Sequence, residues 1–245
     1  MATWIVHLRI AENLLERIEG LDPAYFAIGN LAPDSGVPDE NWEHFNPPPE
    51  VLHFKNSASD GWSLADLDFY RQYIDPHKAN ASDTRRLSFL HGYFFHLVID
   101  NLWREQIVKP LQERYTAEFE KDKGFIWQVK RDWYGLDFEY VRTNPGCLFW
   151  RVFLQSQYEG EFLDFLPGEF IRQRMNYIKE FYQRKDVEIE EWYIRRPDQY
   201  LTKMEWEAFI ERNTDRLEKI NGWLQDKGAE NLKISSSLSI EMDGK

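Results

Sequence analysis

The stretch SFLHGYFFHLVIDNLWRE, residues 88–105, decides the fold of this chain. Its apolar side chains cover more than one face at helical spacing, which predicts a helix buried inside the protein. His96 and Asp100 lie one turn apart on this helix, so their side chains point the same way. Burying an imidazole and a carboxylate costs free energy unless each finds a partner. A metal ion would satisfy both groups, and the alternative is a hydrogen bond between the two within a packed core.

The composition indicates amphipathic helices with large buried faces and charged surfaces. The chain has 245 residues, of which 16% are aromatic, and its mean hydropathy is −0.63. A net charge of −12 argues against a surface that binds nucleic acid by neutralising phosphates. The single cysteine, Cys147, excludes a disulfide framework and a cysteine-based zinc site. No apolar run is long enough to span a bilayer and no signal peptide is evident, so we expect a cytoplasmic protein.

The hydrophobic periodicity predicts an all-α fold. We expect one multi-helix domain over residues 1–228, with the metal ligands in its N-terminal half, and a mobile tail over 229–245. Lys109-Pro110 predicts a break or kink after the central helix. The proline-rich segment 29–56 predicts a long irregular loop, a feature that is often functional. The predicted helices cover residues 3–19, 60–75, 88–105, 111–122, 124–140, 147–158, 167–185 and 202–226.

All six histidines lie in the first 100 residues. His7 lies beside the apolar stripe of the first predicted helix, Asp34 lies in the turn APDSG, and His53 lies in the apolar sequence VLHF. Each has an ordinary structural explanation, because histidines pack in cores and aspartates cap turns. We expect His44 and His77 to face solvent, and His91 to point away from any ion bound at His96.

The order of these motifs along the chain is a histidine in the first helix, then GNLAPDSG, then HF, then GYFFHLVID. This order resembles the zinc-dependent phospholipase C family, an all-helical group related to P1-type nucleases, over roughly residues 1–105. The resemblance implies a multi-helix fold and metal ligands at His7, Asp34, His53, His96 and Asp100. In the family, an Asp, two His and a final Asp of this kind hold one zinc ion. That final Asp bridges to another ion, which the first-helix His helps to bind.

Imidazole and carboxylate ligands suit Zn²⁺, with Fe or Mn as possible substitutes. A bridging carboxylate on Asp100 would set two ions about 3.5–4 Å apart, the spacing of two-metal phosphoryl-transfer sites. The chain departs from the family at Gln106, where the family has a histidine, and it has no counterpart of a later histidine ligand. We therefore expect one or two ions instead of three. Extra oxygen ligands could come from Asp132, Asp137 or Glu139, although we expect these to be surface carboxylates.

Two functions are compatible with this reading. The resemblance implies a phosphoric ester hydrolase that uses metal-bound hydroxide on a phosphodiester or phosphomonoester, with Asp34 as a possible general base. Its substrate would be a phosphoester small molecule or a phospholipid. The alternative is a non-catalytic binding or interaction module that keeps the fold and one structural metal, which the missing ligands favour. The two differ in whether the metal faces a cleft. The sequence does not determine the oligomeric state.

Overall fold

Helices make up most of the fold, as predicted. The computed structural model describes residues 1–41, 44–55, 64–75 and 83–227. The α-helices are α1 (Trp4–Leu15), α2 (Pro23–Gly29), α3 (Pro49–Leu52), α4 (Asp66–Phe69), α5 (Thr84–Trp103), α6 (Lys109–Arg114), α7 (Thr116–Lys121), α8 (Phe125–Thr143), α9 (Leu148–Arg151), α10 (Gly168–Gln183), α11 (Val187–Ile189) and α12 (Lys203–Lys227). Short 3₁₀ helices cover Ala32–Asp34 and Phe153–Gln155, and π-helical turns cover Tyr70–Ile74, Arg104–Val108 and Glu190–Ile194.

Helix α5 is the predicted central helix, and α1, α2, α4 and α12 pack against it. It starts four residues earlier than residue 88 because Asp83 caps it: the Asp83 carboxylate accepts a hydrogen bond from the backbone N–H of Arg86 at 3.0 Å. From Phe89 to Trp103 nearly every side chain is buried, and His96 is fully enclosed. The helix therefore carries its polar residues inside the protein, as its apolar pattern predicts.

Two glycines allow α2 and α5 to cross with their backbones in contact. A Cβ atom added at Gly29 would lie 2.1 Å from the carbonyl oxygen of Phe89, and one at Gly92 would lie 2.3 Å from that of Phe26. Only a residue without a side chain fits at either position. The crossing also brings Asn30, directly after α2, against His96.

The predicted break or kink at Lys109-Pro110 lies directly after an interruption of the α-helix, the π-helical turn Arg104–Val108. The chain remains helical from Thr84 to Arg114, because the π-helical turn Arg104–Val108 precedes the proline and Pro110 lies in the first turn of α6. A proline lacks the N–H that continues the α-helical hydrogen bonds, and a π-helical turn accommodates this change in pairing. The predicted helix over residues 147–158 is shorter than expected, consisting only of α9 and the 3₁₀ helix Phe153–Gln155.

A small antiparallel hairpin lies within the segment predicted to be irregular. Strand β1 (Val37–Pro38) pairs with β2 (Phe45–Asn46), with Val37 opposite Asn46. Strands of two residues are too short to show an alternating pattern in the sequence. The fold is therefore mostly α-helical, with one two-stranded sheet among the described residues.

Part of the prediction lies outside the described residues, namely the first turn of the helix over 60–75, His77 and the tail over 229–245. In the part of the chain that the structure describes, no helix has both the length and the apolar character needed to cross a bilayer.

Candidate metal centre

The five predicted ligands lie together in one buried cluster. His7 projects from α1, and His96 and Asp100 project from α5. Asp34 ends the 3₁₀ helix after α2, and His53 follows α3 directly. The cluster contains two overlapping groups of three residues, and both groups contain His96. Within each group, the ligand atoms lie within 4.8 Å of one another. The deep group is His7, His96 and Asp100, and the outer group is Asp34, His53 and His96.

The carboxylate of Asp100 stands at the centre of this cluster. Its Oδ1 atom lies 3.4 Å from Nε2 of His7, whereas its Oδ2 atom lies 3.4 Å from Nε2 of His96 and 3.7 Å from Nε2 of His53. On the far side, Nε2 of His53 lies 3.3 Å from Oδ1 of Asp34. The two oxygens of Asp100 thus face different imidazoles, as a bridging carboxylate would.

Backbone carbonyls fix the orientation of two imidazole rings. The Nδ1 atom of His96 lies 2.8 Å from the carbonyl oxygen of Asn30, and that of His53 lies 3.2 Å from the carbonyl oxygen of Pro49. A carbonyl only accepts, so each Nδ1 carries the proton and donates it, and each Nε2 presents its lone pair. The two Nε2 atoms lie only 3.4 Å apart. Two such lone pairs repel unless a positive species, a proton or a metal ion, lies between them.

The side chain of His7 is held by ring stacking, with no hydrogen bond to another described residue. Its ring stacks on that of His96, with centroids 3.9 Å apart and an interplanar angle of 6°. Among the described residues, neither ring nitrogen of His7 nor the Oδ2 atom of Asp100 has a hydrogen-bond partner, although all three are buried. Buried polar atoms are normally satisfied, so their exceptions need an explanation. A divalent cation would explain them, and the set of nitrogen and oxygen donors fits zinc.

The protonation states of the cluster also suit a cation. Burial, helped by the charge of His96, lowers the pKa of His7 to about 4. Burial by itself would raise the pKa of Asp34, but the neighbouring His53 imidazole and the charge of His96 outweigh it and leave that pKa well below its usual range. The pKa of Asp100 is likewise low despite its burial, because nearby positive charges, including that of His96, outweigh it. Near neutral pH both carboxylates are ionised and His7 is neutral, which metal binding requires.

His96 differs from His7 in that its pKa is raised. Burial opposes its protonation, but the Asp100 and Asp34 carboxylates outweigh this effect and raise its pKa above the ordinary value. Without a metal ion, a proton is therefore the competing occupant between His96 and its neighbours.

Two further groups hold the carboxylates in place. The indole N–H of Trp4 donates to Oδ2 of Asp34 at 2.9 Å, and the backbone N–H of Ala2 donates to Oδ1 of Asp100 at 2.7 Å. Such supporting hydrogen bonds orient metal ligands and raise their affinity. Neither residue is singled out by the sequence, since nothing local marks a tryptophan as a donor to a carboxylate thirty positions away.

We expect Trp4→Phe to weaken zinc binding by about 10- to 100-fold, because it removes the hydrogen bond that orients Asp34. Competition with a chromophoric chelator measures this affinity. Trp206→Phe is the matched control, since Trp206 is buried and its indole N–H has no partner among the described residues. An unchanged zinc affinity in Trp4→Phe would show that Asp34 needs no such support.

Neither ligand group includes His44 or His91, and Gln106 makes contacts of another kind. His44 is exposed, as predicted, and Nδ1 of His91 lies 2.9 Å from the carbonyl oxygen of Leu87. The side-chain oxygen of Gln106 accepts hydrogen bonds from Arg212 at 2.7 Å and from Asn213 at 3.1 Å. The position where the family has a histidine thus joins α12 to the π-helical turn after α5.

The expectation that Asp132 and Asp137 are surface carboxylates is wrong, since both are fully buried. Asp132 accepts hydrogen bonds from the backbone N–H groups of residues 198–200 at 2.6–2.8 Å, so it is satisfied by a loop. Glu139 pairs with Arg196 at 3.1 Å and with Lys203 at 2.7 Å. Neither of the two ligand groups includes any of the three carboxylates.

Asp137 is buried beside the first turn of α1. It accepts hydrogen bonds from the hydroxyls of Thr3 at 2.7 Å and Tyr182 at 2.5 Å. Burial nevertheless raises its pKa to about 7. The folded chain therefore binds a proton at Asp137 more tightly than the unfolded chain does, and this contribution to stability is lost as the pH rises through 7.

We expect Asp137→Asn to become more stable relative to the unsubstituted chain as the pH rises from 6 to 9, since an amide does not ionise. The shift should be about 1.4 kcal/mol in the free energy of unfolding, because the folded chain loses about one proton-equivalent over about one pH unit of this interval. Urea unfolding at both pH values measures it, with exposed Glu120→Gln as the control. Parallel pH dependence of Asp137→Asn and the unsubstituted chain would contradict the raised pKa.

The outer group opens onto a cavity of about 280 Å³. Asp34 and His53 form part of its wall, whereas His7, His96 and Asp100 lie behind them. Two cationic side chains, Lys130 and Arg174, and a set of aromatic rings also line it, together with small and apolar residues. The aromatic residues are Trp4, Phe45, Trp127, Trp133, Tyr134, Tyr177, Phe181 and Tyr193.

Comparison of the chain with models of protein families, with curated proteins and with solved structures gives no match. The chemistry of the site must therefore be argued from the chain's own residues, and the resemblance to the phospholipase C family remains a prediction.

Proposed function

We propose that this protein is a metal-dependent phosphoric ester hydrolase. His7, Asp34, His53, His96 and Asp100 would hold one or two divalent ions, with zinc favoured and iron or manganese as alternatives. The observation that carries the proposal is the convergence of the Nε2 lone pairs of His53 and His96 on two carboxylates beside an open cavity.

Bound zinc supplies a Lewis acid for a phosphoryl oxygen and lowers the pKa of water. The chain's own residues provide position and charge. His53 and Asp34 are the two candidate ligands at the cavity wall, so a phosphoester entering the cavity would meet the outer group first. A phosphoester small molecule fits a cavity of about 280 Å³ better than a whole phospholipid, whose acyl chains would have to lie outside it.

We assign Asp34 primarily as a metal ligand. Its pKa lies well below the usual range because His53 and His96 outweigh its burial. An effective general base has a pKa near the working pH, so a carboxylate this acidic takes up a proton weakly. The role of general base at Asp34 is therefore the less favoured of its two predicted roles.

The alternative is a non-catalytic protein with one structural metal. The deep group favours it, because His7, His96 and Asp100 are all buried and none of them lines the cavity. Structural metal sites are closed in this way, whereas catalytic sites keep an open position. The outer group, with Asp34 about 10% exposed, favours catalysis.

Hydrolysis of two chromogenic substrates tests the proposal. The chain would be loaded with zinc, iron or manganese, freed of unbound metal, and assayed with bis(4-nitrophenyl) phosphate and 4-nitrophenyl phosphate. We expect metal-dependent release of 4-nitrophenol that is lost in His53→Ala and retained in His44→Ala, which changes an exposed histidine. Metal bound stoichiometrically without hydrolysis of either ester would favour the structural-metal alternative.

A further inference from the structure

The cavity places a lysine without an anionic partner next to the candidate metal centre. Nζ of Lys130, on α8, lies 4.7 Å from the centroid of the Trp127 ring, and within the described residues Lys130 has no hydrogen bond or ion pair. Other lysines, such as Lys109 and Lys203, pair with carboxylates at the surface. Lys130 instead lines a cavity.

The environment of Lys130 favours an anion. Burial outweighs the negative charges of Asp34 and Asp100 and lowers the pKa of Lys130, so its ammonium form is short of a compensating charge. Those carboxylates are already committed to the histidines of the cluster, at distances of 3.3–3.7 Å. A partly buried ammonium group is stabilised most by an anion that forms a direct hydrogen bond with it.

Arg174 on α10 is a second cation of this cavity, and its position is fixed. Its Nη2 donates to the carbonyl oxygen of Gly36 at 2.6 Å, and its guanidinium lies 5.9 Å from the Trp4 ring and 5.4 Å from the Tyr177 ring. A guanidinium has five N–H donors, so this one retains donors for a ligand. The same rings that hold Arg174 also form the wall of the cavity.

That wall is aromatic and ordered by edge-to-face packing around Trp4. The Trp4 ring centroid lies 5.9 Å from that of Tyr134, 5.9 Å from that of Tyr177 and 5.7 Å from that of Phe181. Such packing holds rings rigidly and offers their faces and edges to a further ring. A volume of about 280 Å³ has room for one ring and a phosphate group.

We propose that Lys130 and Arg174 bind the phosphate charge of the substrate while the aromatic wall binds a single ring of its alcohol. The substrate class is then a phosphate ester of an aromatic alcohol. This inference rests on the proposed function for the hydrolysis itself, whereas recognition of the anion and the ring is a property of the cavity alone.

Binding of two phosphonates tests the inference, because their carbon–phosphorus bond is not an ester and is not hydrolysed. Titration calorimetry would compare phenylphosphonate with methylphosphonate on the zinc-loaded protein. We expect phenylphosphonate to bind at least about tenfold more tightly, and Lys130→Gln to weaken both ligands by about tenfold or more. Lys123→Gln, which removes the same charge from an exposed position, should bind like the unsubstituted chain.

Lys130→Arg keeps the charge and should retain binding, and Lys130→Met keeps the apolar stem in case the glutamine variant fails to fold. Unchanged affinity in a folded Lys130→Gln or Lys130→Met protein would overturn the role of the lysine. Equal affinity for the two phosphonates would contradict the proposal that the aromatic wall binds a ring of the substrate. If the chain binds no zinc, the proposed function fails, but binding of phenylphosphonate to the metal-free chain that depends on Lys130 would still support this site.

Discussion

Replacing His96 with alanine is expected to abolish metal binding and, with it, the stabilisation that zinc confers. His96 belongs to both ligand groups, and its Nε2 atom lies 3.4 Å from both Asp100 Oδ2 and His53 Nε2. A ligand that binds only the folded state stabilises it by about 4 kcal/mol when present at a thousand times its dissociation constant. For a chain of this size that raises the Tm by roughly 8 °C or more.

Thermal unfolding with excess zinc and with a chelator measures this effect in both proteins. The Tm of the unsubstituted chain should be higher with zinc than with the chelator by the full amount given above. The Tm of His96→Ala should be the same under both conditions. His44→Ala is the control, because that histidine is exposed and lies apart from both groups, so its zinc-dependent shift should be unchanged. A zinc-dependent shift of full size in His96→Ala would place the metal elsewhere.

Gly92→Ala is expected to have the largest effect on stability itself. A Cβ atom there would lie 2.3 Å from the carbonyl oxygen of Phe26 and 2.8 Å from the backbone nitrogen of Asn30, so one of the two helices must move. Overpacking of this kind costs about 3 kcal/mol, and more where the obstacle is backbone. Since the carbonyl of Asn30 orients His96, movement of α2 should also weaken metal binding.

Chemical denaturation gives the free energy of unfolding for this comparison. Gly222→Ala is a control on α12, where a Cβ atom meets nothing within 4 Å. Alanine is the better helix former, so this variant should be equally stable or more stable by up to about 1 kcal/mol. A Gly92→Ala protein as stable as Gly222→Ala would mean that α2 and α5 do not cross in backbone contact.

The central helix could be predicted from the sequence because its signal is local. The apolar residues between Phe89 and Trp103 repeat within one segment, and the spacing from His96 to Asp100 fixes their common direction. The placement of His7, Asp34 and His53 beside them followed from the order of motifs along the chain. The structure brings all five residues together, while the metal itself remains a prediction.

Features that depend on distant partners could not be predicted in the same way. Asp132 is buried because its carboxylate receives backbone N–H groups from residues 198–200, more than sixty positions away. Lys130 belongs to a cavity whose other walls include residues of α1, α3, α10 and the loop after α2. A periodic pattern reports which face of a helix is apolar, and it does not report what that face will meet.

The metal content of the chain, purified without chelator or affinity metal and measured by elemental mass spectrometry, tests the central claim most directly. We expect one or two equivalents of zinc, iron or manganese per chain, and a loss of metal in His96→Ala. A chain that holds no metal, even after incubation with zinc and removal of the excess, would contradict the claim that these histidines and carboxylates form a metal centre.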